Sequence, residues 1–161
     1  MRRTLTLIAI VAILIVFTSA YNRDNTSTEI NAFAPYFELK NSEGTTKLND
    51  LRGHYVLVSF WSSDNAESRI RNNSYSNKSQ SIKDLKIVSI NLDESESLYK
   101  EISKIDRLQG MSQYHLSDGK ENEVYKSYHP ESGFNSYLIN REGRIEAINP
   151  TTQQLTELIC Q

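Results

Sequence analysis

Two nearly continuous apolar runs, Tyr55-Val56-Leu57-Val58-Ser59-Phe60-Trp61 and Leu85 to Leu92 with Ile87, Val88 and Ile90, stand out from a chain that elsewhere mixes apolar and polar positions. Short runs rich in β-branched and aromatic residues predict strands covered on both faces in the middle of a sheet. Between them, Ala66 to Lys83 has the length of a helix. It is crowded with weak helix formers, Asn72-Asn73-Ser74 and Ser76-Asn77-Lys78-Ser79, so its second half is expected to fray. Strand, helix and strand in that order predict a parallel, right-handed βαβ unit.

Upstream, Phe37 and Leu39 alternate with polar residues, Ser42-Glu43-Gly44 supplies a turn, and Leu48 and Leu51 precede Gly53. That is a short strand, a turn and a one-turn helix. Downstream, Ser95 to Leu108 places Leu98, Ile102 and Ile105 at helical spacing, which predicts an amphipathic helix laid on the sheet. Tyr114 to Leu116 reads as a short edge strand and Asn122 to Tyr128 as a short helix. Tyr137-Leu138-Ile139-Asn140, Arg141-Glu142-Gly143 and Arg144 to Ile148 form a β-hairpin with its turn glycine. Pro150 and Thr151 open a last helix with Leu155, Leu158 and Ile159 facing inward.

The N-terminus has a different character. Met1-Arg2-Arg3, the apolar stretch Leu7 to Phe17 and the small residues Thr18-Ser19-Ala20 have the parts of an export signal. The segment is intermediate in length between a signal core and a minimal membrane span, and cleavage after Ala20 is favoured over retention as an anchor. A polar linker, residues 21–32, argues against a buried helix there, and the lack of a nearby cysteine argues against lipid attachment. The expected organisation is a signal peptide or membrane anchor over 1–20, a linker over 21–32 and one folded domain over 33–161, placed outside the cytoplasm, in the periplasm or on the membrane. The formal charge of −2 shows no basic concentration for nucleic acid. The single cysteine, Cys160, excludes an internal disulfide. It reads as an apolar filler or a frayed surface thiol, or, more sharply, as the bridge of a disulfide-linked dimer. Asn25-Thr26-Ser27 and two later glycosylation patterns are expected by chance in a chain this rich in Asn and Ser.

Candidate chemistry concentrates where the first apolar run meets a helix start, Phe60 to Arg69. Asp64 is the expected N-cap, with Glu67 completing a variant of the capping box worth about 1 kcal/mol. Both carboxylates suit the positive end of a helix, so a cap with no further role is as good a reading as a site. A triad of Ser68, His129 or His115, and Asp64 lacks a strained serine elbow or local signature. His115, His129 and Asp93 lack metal-ligand spacing, so neither metal nor cofactor is expected. His54, in a turn after Gly53, reads as structural.

Four strings in order carry a resemblance: Ala34-Pro35-Tyr36-Phe37-Glu38-Leu39, Leu48 to Gly53 as "L-x-x-L-x-G", Val56 to Trp61 as "V-L-V-x-F-W", and Tyr137 to Ile145 as "F-L-I-D-x-x-G-x-I". Over about residues 33–160 the chain resembles the exported thioredoxin-like thiol-disulfide oxidoreductases, the branch related to cytochrome-maturation and AhpC/TSA-type redoxin domains. The resemblance implies an α/β thioredoxin-like fold, a central mixed sheet with helices on both faces. The family's reaction uses two cysteines at a helix start, one attacking a disulfide as thiolate and the other resolving the mixed disulfide. Laying its "F-W-A-S-W-C-x-x-C-R" on this chain puts Asn65 and Ser68 in their places.

The family also carries a cis-proline just before the hairpin strand, which exposes backbone for pairing with an extended substrate. Phe134 stands at that position, and since a cis bond there would cost about 2.5 to 4 kcal/mol, the Gly133–Phe134 bond is expected to be trans. Phe134, Tyr137, Trp61 and Tyr128 are candidates to line a groove beside the Phe60 to Arg69 junction; of these Trp61 and Tyr137 are expected in the core and Phe134 as an exposed contact. The resulting expectation is a redox-inactive module that binds an envelope protein or peptide through Asp64, Asn65, Glu67, Ser68, Phe134 and Asn135, and the membrane through its N-terminal segment if uncleaved. The alternative is an active oxidoreductase or other enzyme using unrecognised residues.

Overall fold

The computed structural model describes residues 28–108, 110–128 and 133–160; the expected signal or anchor segment over 1–20, residues 21–27 of the expected linker and His129 lie outside them. A small antiparallel hairpin, β1 (Glu38–Asn41) and β2 (Gly44–Lys47), leads through a 3-10 turn at Leu48–Leu51 into β3 (Tyr55–Trp61). Then come α1 (Ala66–Ser79), β4 (Leu85–Asn91), α2 (Glu96–Ile105), β5 (Ser112–His115), a second 3-10 turn at Gly119–Glu121 and α3 (Glu123–Ser127). The hairpin β6 (Ser136–Ile139) and β7 (Ile145–Ile148) and the helix α4 (Thr152–Ile159) finish the chain. The main sheet runs β5-β4-β3-β6-β7, with β3, β4 and β5 parallel and β6 and β7 antiparallel to their neighbours. This is the expected thioredoxin-like mixed sheet, and the βαβ unit is parallel as the apolar runs require.

Side chains alternate across β3, so its continuous apolar run feeds two cores. Val56, Val58 and Phe60 pack with Phe37, Leu39, Leu48, Val88 and Ile90 on one face. Phe60 lies edge-on to Tyr125, Tyr128 and Tyr137, and the Tyr128 hydroxyl donates to the Pro35 carbonyl at 3.0 Å. On the other face Leu57 packs with Tyr75, Ile87, Leu138, Leu155 and Ile159. Trp61 and Tyr137 are buried, as expected.

The second face changes character toward the end of β3 nearest the α1 start. Ser59, Ser89, Asn91 and Ser136 of the sheet and Ser68, Asn72 and Ser76 of α1 are all buried. Ser89 donates to Asn72 Oδ1 at 3.0 Å and Ser136 to Ser59 Oγ at 3.1 Å. Tyr75 is the large apolar anchor of the helix, its hydroxyl donating to the Pro150 carbonyl at 2.8 Å. Buried polar groups are tolerated when they bond one another; here the Asn72 oxygen is paired while its buried Nδ2 is not, and the seam accounts for a helix with no apolar stripe. It also explains why α1 continues unbroken to Ser79, where fraying was expected; it ends four residues short of Lys83.

Two further expectations are corrected. β2 was missed because Gly44-Thr45-Thr46-Lys47 has no apolar alternation; it exists by pairing with β1 across a turn in which Asn41 Oδ1 accepts from the backbone of Glu43 and Gly44. In α2, Leu98 and Ile105 are 42% and 60% exposed instead of facing the sheet. The helix turns Tyr99 and Ile102 inward, with Tyr99 stacked on His115 at 5.1 Å. Leu138→Ala should therefore cost about 3 to 4 kcal/mol in urea unfolding, while Leu98→Ala should stay within about 0.5 kcal/mol.

Candidate functional site

Parallel β3 and β4 end at the same edge of the sheet, so the polar residues following each apolar run meet there. Asp93 is buried at that meeting point. Its carboxylate accepts from the Ser62 hydroxyl at 2.7 Å, the Ser63 backbone N–H at 2.8 Å and the Asn91 amide at 2.9 Å, and also from the Ser63 hydroxyl. Asn91 Oδ1 accepts in turn from the Asp93 backbone at 3.0 Å. The loop between β3 and α1 is thereby tied to the end of β4. Burial alone would raise the Asp93 pKa, but the donors from Ser63, Ser62 and Asn91 outweigh it and hold the carboxyl below its usual value.

From this anchor the loop turns into α1. The N-cap is Asn65, one residue later than expected, with its Oδ1 accepting from the Ser68 N–H at 2.8 Å. Asp64 is exposed, with its carboxylate against the same Ser62 hydroxyl, whose single proton it shares with Asp93. Glu67 forms no capping box; it pairs with Arg71 one turn on at 3.2 Å. Ser68 is buried, donating to the Asn65 carbonyl at 3.0 Å and accepting from the Ser62 N–H at 3.3 Å. The two positions that the resemblance assigns to cysteines are thus bonded to each other and to the loop.

The hairpin side closes the site. The Gly133–Phe134 bond is trans, no cis peptide occurring among the described residues. Phe134 is half-buried, packed in part against the core and in part lining the groove, with the Lys120 ammonium 5.1 Å from its ring centre. Asn135 is held at both ends: its carbonyl accepts from the Phe60 N–H at 3.1 Å and its side chain from Asn149 at 2.8 Å. An open groove of about 950 Å³ runs between these parts, lined by Ser62, Asp64, Asn65, Asp93, Leu98 and Phe134 among others. It brings Asp64, Asn65 and Phe134 together; Ser68 lies beneath it, and Glu67 points along α1 to Arg71.

The triad with His115 as base is not assembled, and His129 lies outside the described residues. His115 Nε2 lies 2.6 Å from the Asp93 carbonyl and its ring is stacked on Tyr99, while the Ser68 hydroxyl is committed to the main chain. His54 lies 2.9 Å from Asp84 in a structural pair that Arg141 joins at 2.6 Å. No group of three or more His, Cys, Asp or Glu among the described residues is placed to hold a metal ion. Cys160 is exposed at the end of α4. The Ser62, Ser63, Asn91 and Asp93 tie went unread in sequence, although its signal was there: polar pairs directly following two runs that had to lie side by side.

Asp93→Ala leaves several buried donors without an acceptor and should cost about 2 to 3 kcal/mol at neutral pH. Because the folded pKa is depressed, this stabilisation is complete above the unfolded value of about 3.9 and is lost as pH falls through the folded value. In urea titrations the gap between wild type and Asp93→Ala should therefore hold down to about pH 4 and narrow only at lower pH, as the folded carboxylate is protonated.

The AhpC/TSA family pattern matches residues 30–148. Among solved structures, a thioredoxin-like protein from Parabacteroides distasonis is 36% identical with a TM-score of 0.71, over 83% of this chain and 96% of that one. The thioredoxin domain of a thiol-disulfide oxidoreductase from Bacteroides vulgatus is 23% identical with a TM-score of 0.71, over 81% and 98% of the two chains. A thiol:disulfide interchange protein from a Bacteroides species is 21% identical with a TM-score of 0.69, over 83% and 91%. The last two are likenesses of fold. No curated protein matches the chain. With its single cysteine at the end of α4 and Asn65 and Ser68 at the head of α1, this chain belongs to the AhpC/TSA family as a thioredoxin-like member without the Cys-x-x-Cys pair.

Proposed function

We propose that the chain is a redox-inactive thioredoxin-like module of the cell envelope that binds a protein or peptide in the groove beside Asn65 and Phe134. The observation that carries this reading is the bonding of Asn65 and Ser68 into a helix cap. Thiol-disulfide exchange requires a thiolate to attack and, for turnover, a second thiol to resolve the mixed disulfide. An amide and a buried hydroxyl bonded to the main chain do neither. What remains is a rigid, concave surface with a half-buried aromatic ring and several carboxylates, which suits binding better than group transfer. The export-like N-terminal segment supports a location outside the cytoplasm, with membrane attachment if residues 1–20 are retained.

The test is reduction of insulin and of a small aromatic disulfide by dithiothreitol. Wild type should not exceed the uncatalysed rate with either substrate, and Asn65→Cys, Ser68→Cys should accelerate reduction of the small disulfide at least tenfold. Wild-type catalysis clearly above background would contradict the redox-inactive reading.

A further inference from the structure

Every carbonyl of the segment 133–135, which borders the groove just before β6, is paired from inside the protein. The Gly133 carbonyl accepts from the Tyr125 hydroxyl at 3.3 Å, the Phe134 carbonyl from Arg71 Nη2, and the Asn135 carbonyl from the Phe60 N–H at 3.1 Å. An extended partner that adds itself as a strand needs free main-chain acceptors. We propose that Arg71 and Tyr125 close this backbone to strand addition, so that the groove recognises a protein segment through its side chains.

Arg71 is well suited to hold its position. Its side chain is 17% exposed, its Nη1 pairs with Glu67 at 3.2 Å, and its buried Nε has no partner. Charge-assisted bonds are stronger than those between neutral groups. A guanidinium already short of acceptors loses more by giving up the Phe134 carbonyl than a neutral peptide N–H gains by taking it. The groups left facing the groove are side chains: exposed Leu98, the Phe134 ring, and the carboxylates of Asp64, Glu94 and Asp118 against the single ammonium of Lys120. They fit a segment that presents an apolar side chain beside a basic one. The inference rests on the groove being a protein-binding surface, but its test needs neither the native partner nor an inactive wild type.

In an Asn65→Cys, Cys160→Ser protein, the introduced thiolate attacks a glutathione-capped cysteine hexapeptide at the peptide sulfur, forming the peptide adduct and releasing glutathione thiolate. The readout is the equilibrium ratio of peptide adduct to glutathione adduct by intact mass, with the amides flanking the peptide cysteine either free or N-methylated. With Arg71 and Tyr125 in place, N-methylation should change the ratio less than twofold. After Arg71→Met and Tyr125→Phe it should lower the ratio about fivefold, the worth of one hydrogen bond. A fivefold loss with both residues present, or no sensitivity once both are removed, overturns the proposal. The first arm stands without the second pair of substitutions, and the glutathione adduct reports the reactivity of the thiol in the same sample.

Discussion

The buried carboxylate of Asp93 is the constraint on which the candidate site depends. It accepts the Ser63 N–H and both serine hydroxyls of the loop leading out of β3, and Asn91 braces it from β4. A buried charge without such donors would be a liability of several kcal/mol. With them, it fixes where the loop leaves the sheet and hence which residue can cap α1. Asn65, Ser68 and the wall of the groove follow from that choice.

The same economy extends beneath the loop. α1 lays buried Ser68, Asn72 and Ser76 on the sheet, with the Ser89–Asn72 bond joining helix to sheet, the Ser136–Ser59 bond joining two strands beneath it, and Tyr75 as the large apolar contact of that face. Hydrogen bonds of this kind contribute about 1 kcal/mol each, but they are directional and leave few alternative arrangements. The site end of the helix is therefore held by geometry more than by apolar area. At the junction itself the contacts are polar throughout: Asn65 and Ser68 bond each other, and Ser62 and Ser63 bond Asp93.

Much of the fold was legible because the relevant forces are local or periodic. The runs at 55–61 and 85–92 became β3 and β4 almost residue for residue, and the Arg141-Glu142-Gly143 turn joined β6 to β7. Pro150-Thr151 opened α4 with a capping box to Gln154. The failures lie where tertiary contacts decide between locally equivalent choices. Asp64 and Asn65 are both good caps, and only the tie of Ser62 and Ser63 to Asp93 selects the second. Helical spacing showed that Leu98 and Ile105 share a stripe with Ile102 but not which way α2 would roll. The stacking of Tyr99 on His115 and the Arg69–Asp106 pair at 2.6 Å accompany the observed orientation. Phe134 was read from its place in a loop, and no local pattern records that the first core would take up part of its ring and leave the rest on the groove.

Hydrogen exchange of the Ser63 amide tests most directly whether this junction is a fixed, sulfur-independent structure. The Ser63 N–H donates to Asp93 Oδ1 at 2.8 Å, so its exchange should be at least a hundredfold slower than that of an unstructured serine amide, with identical rates in the presence and absence of dithiothreitol. Exchange at the unstructured rate, or protection that changes with reductant, would contradict it.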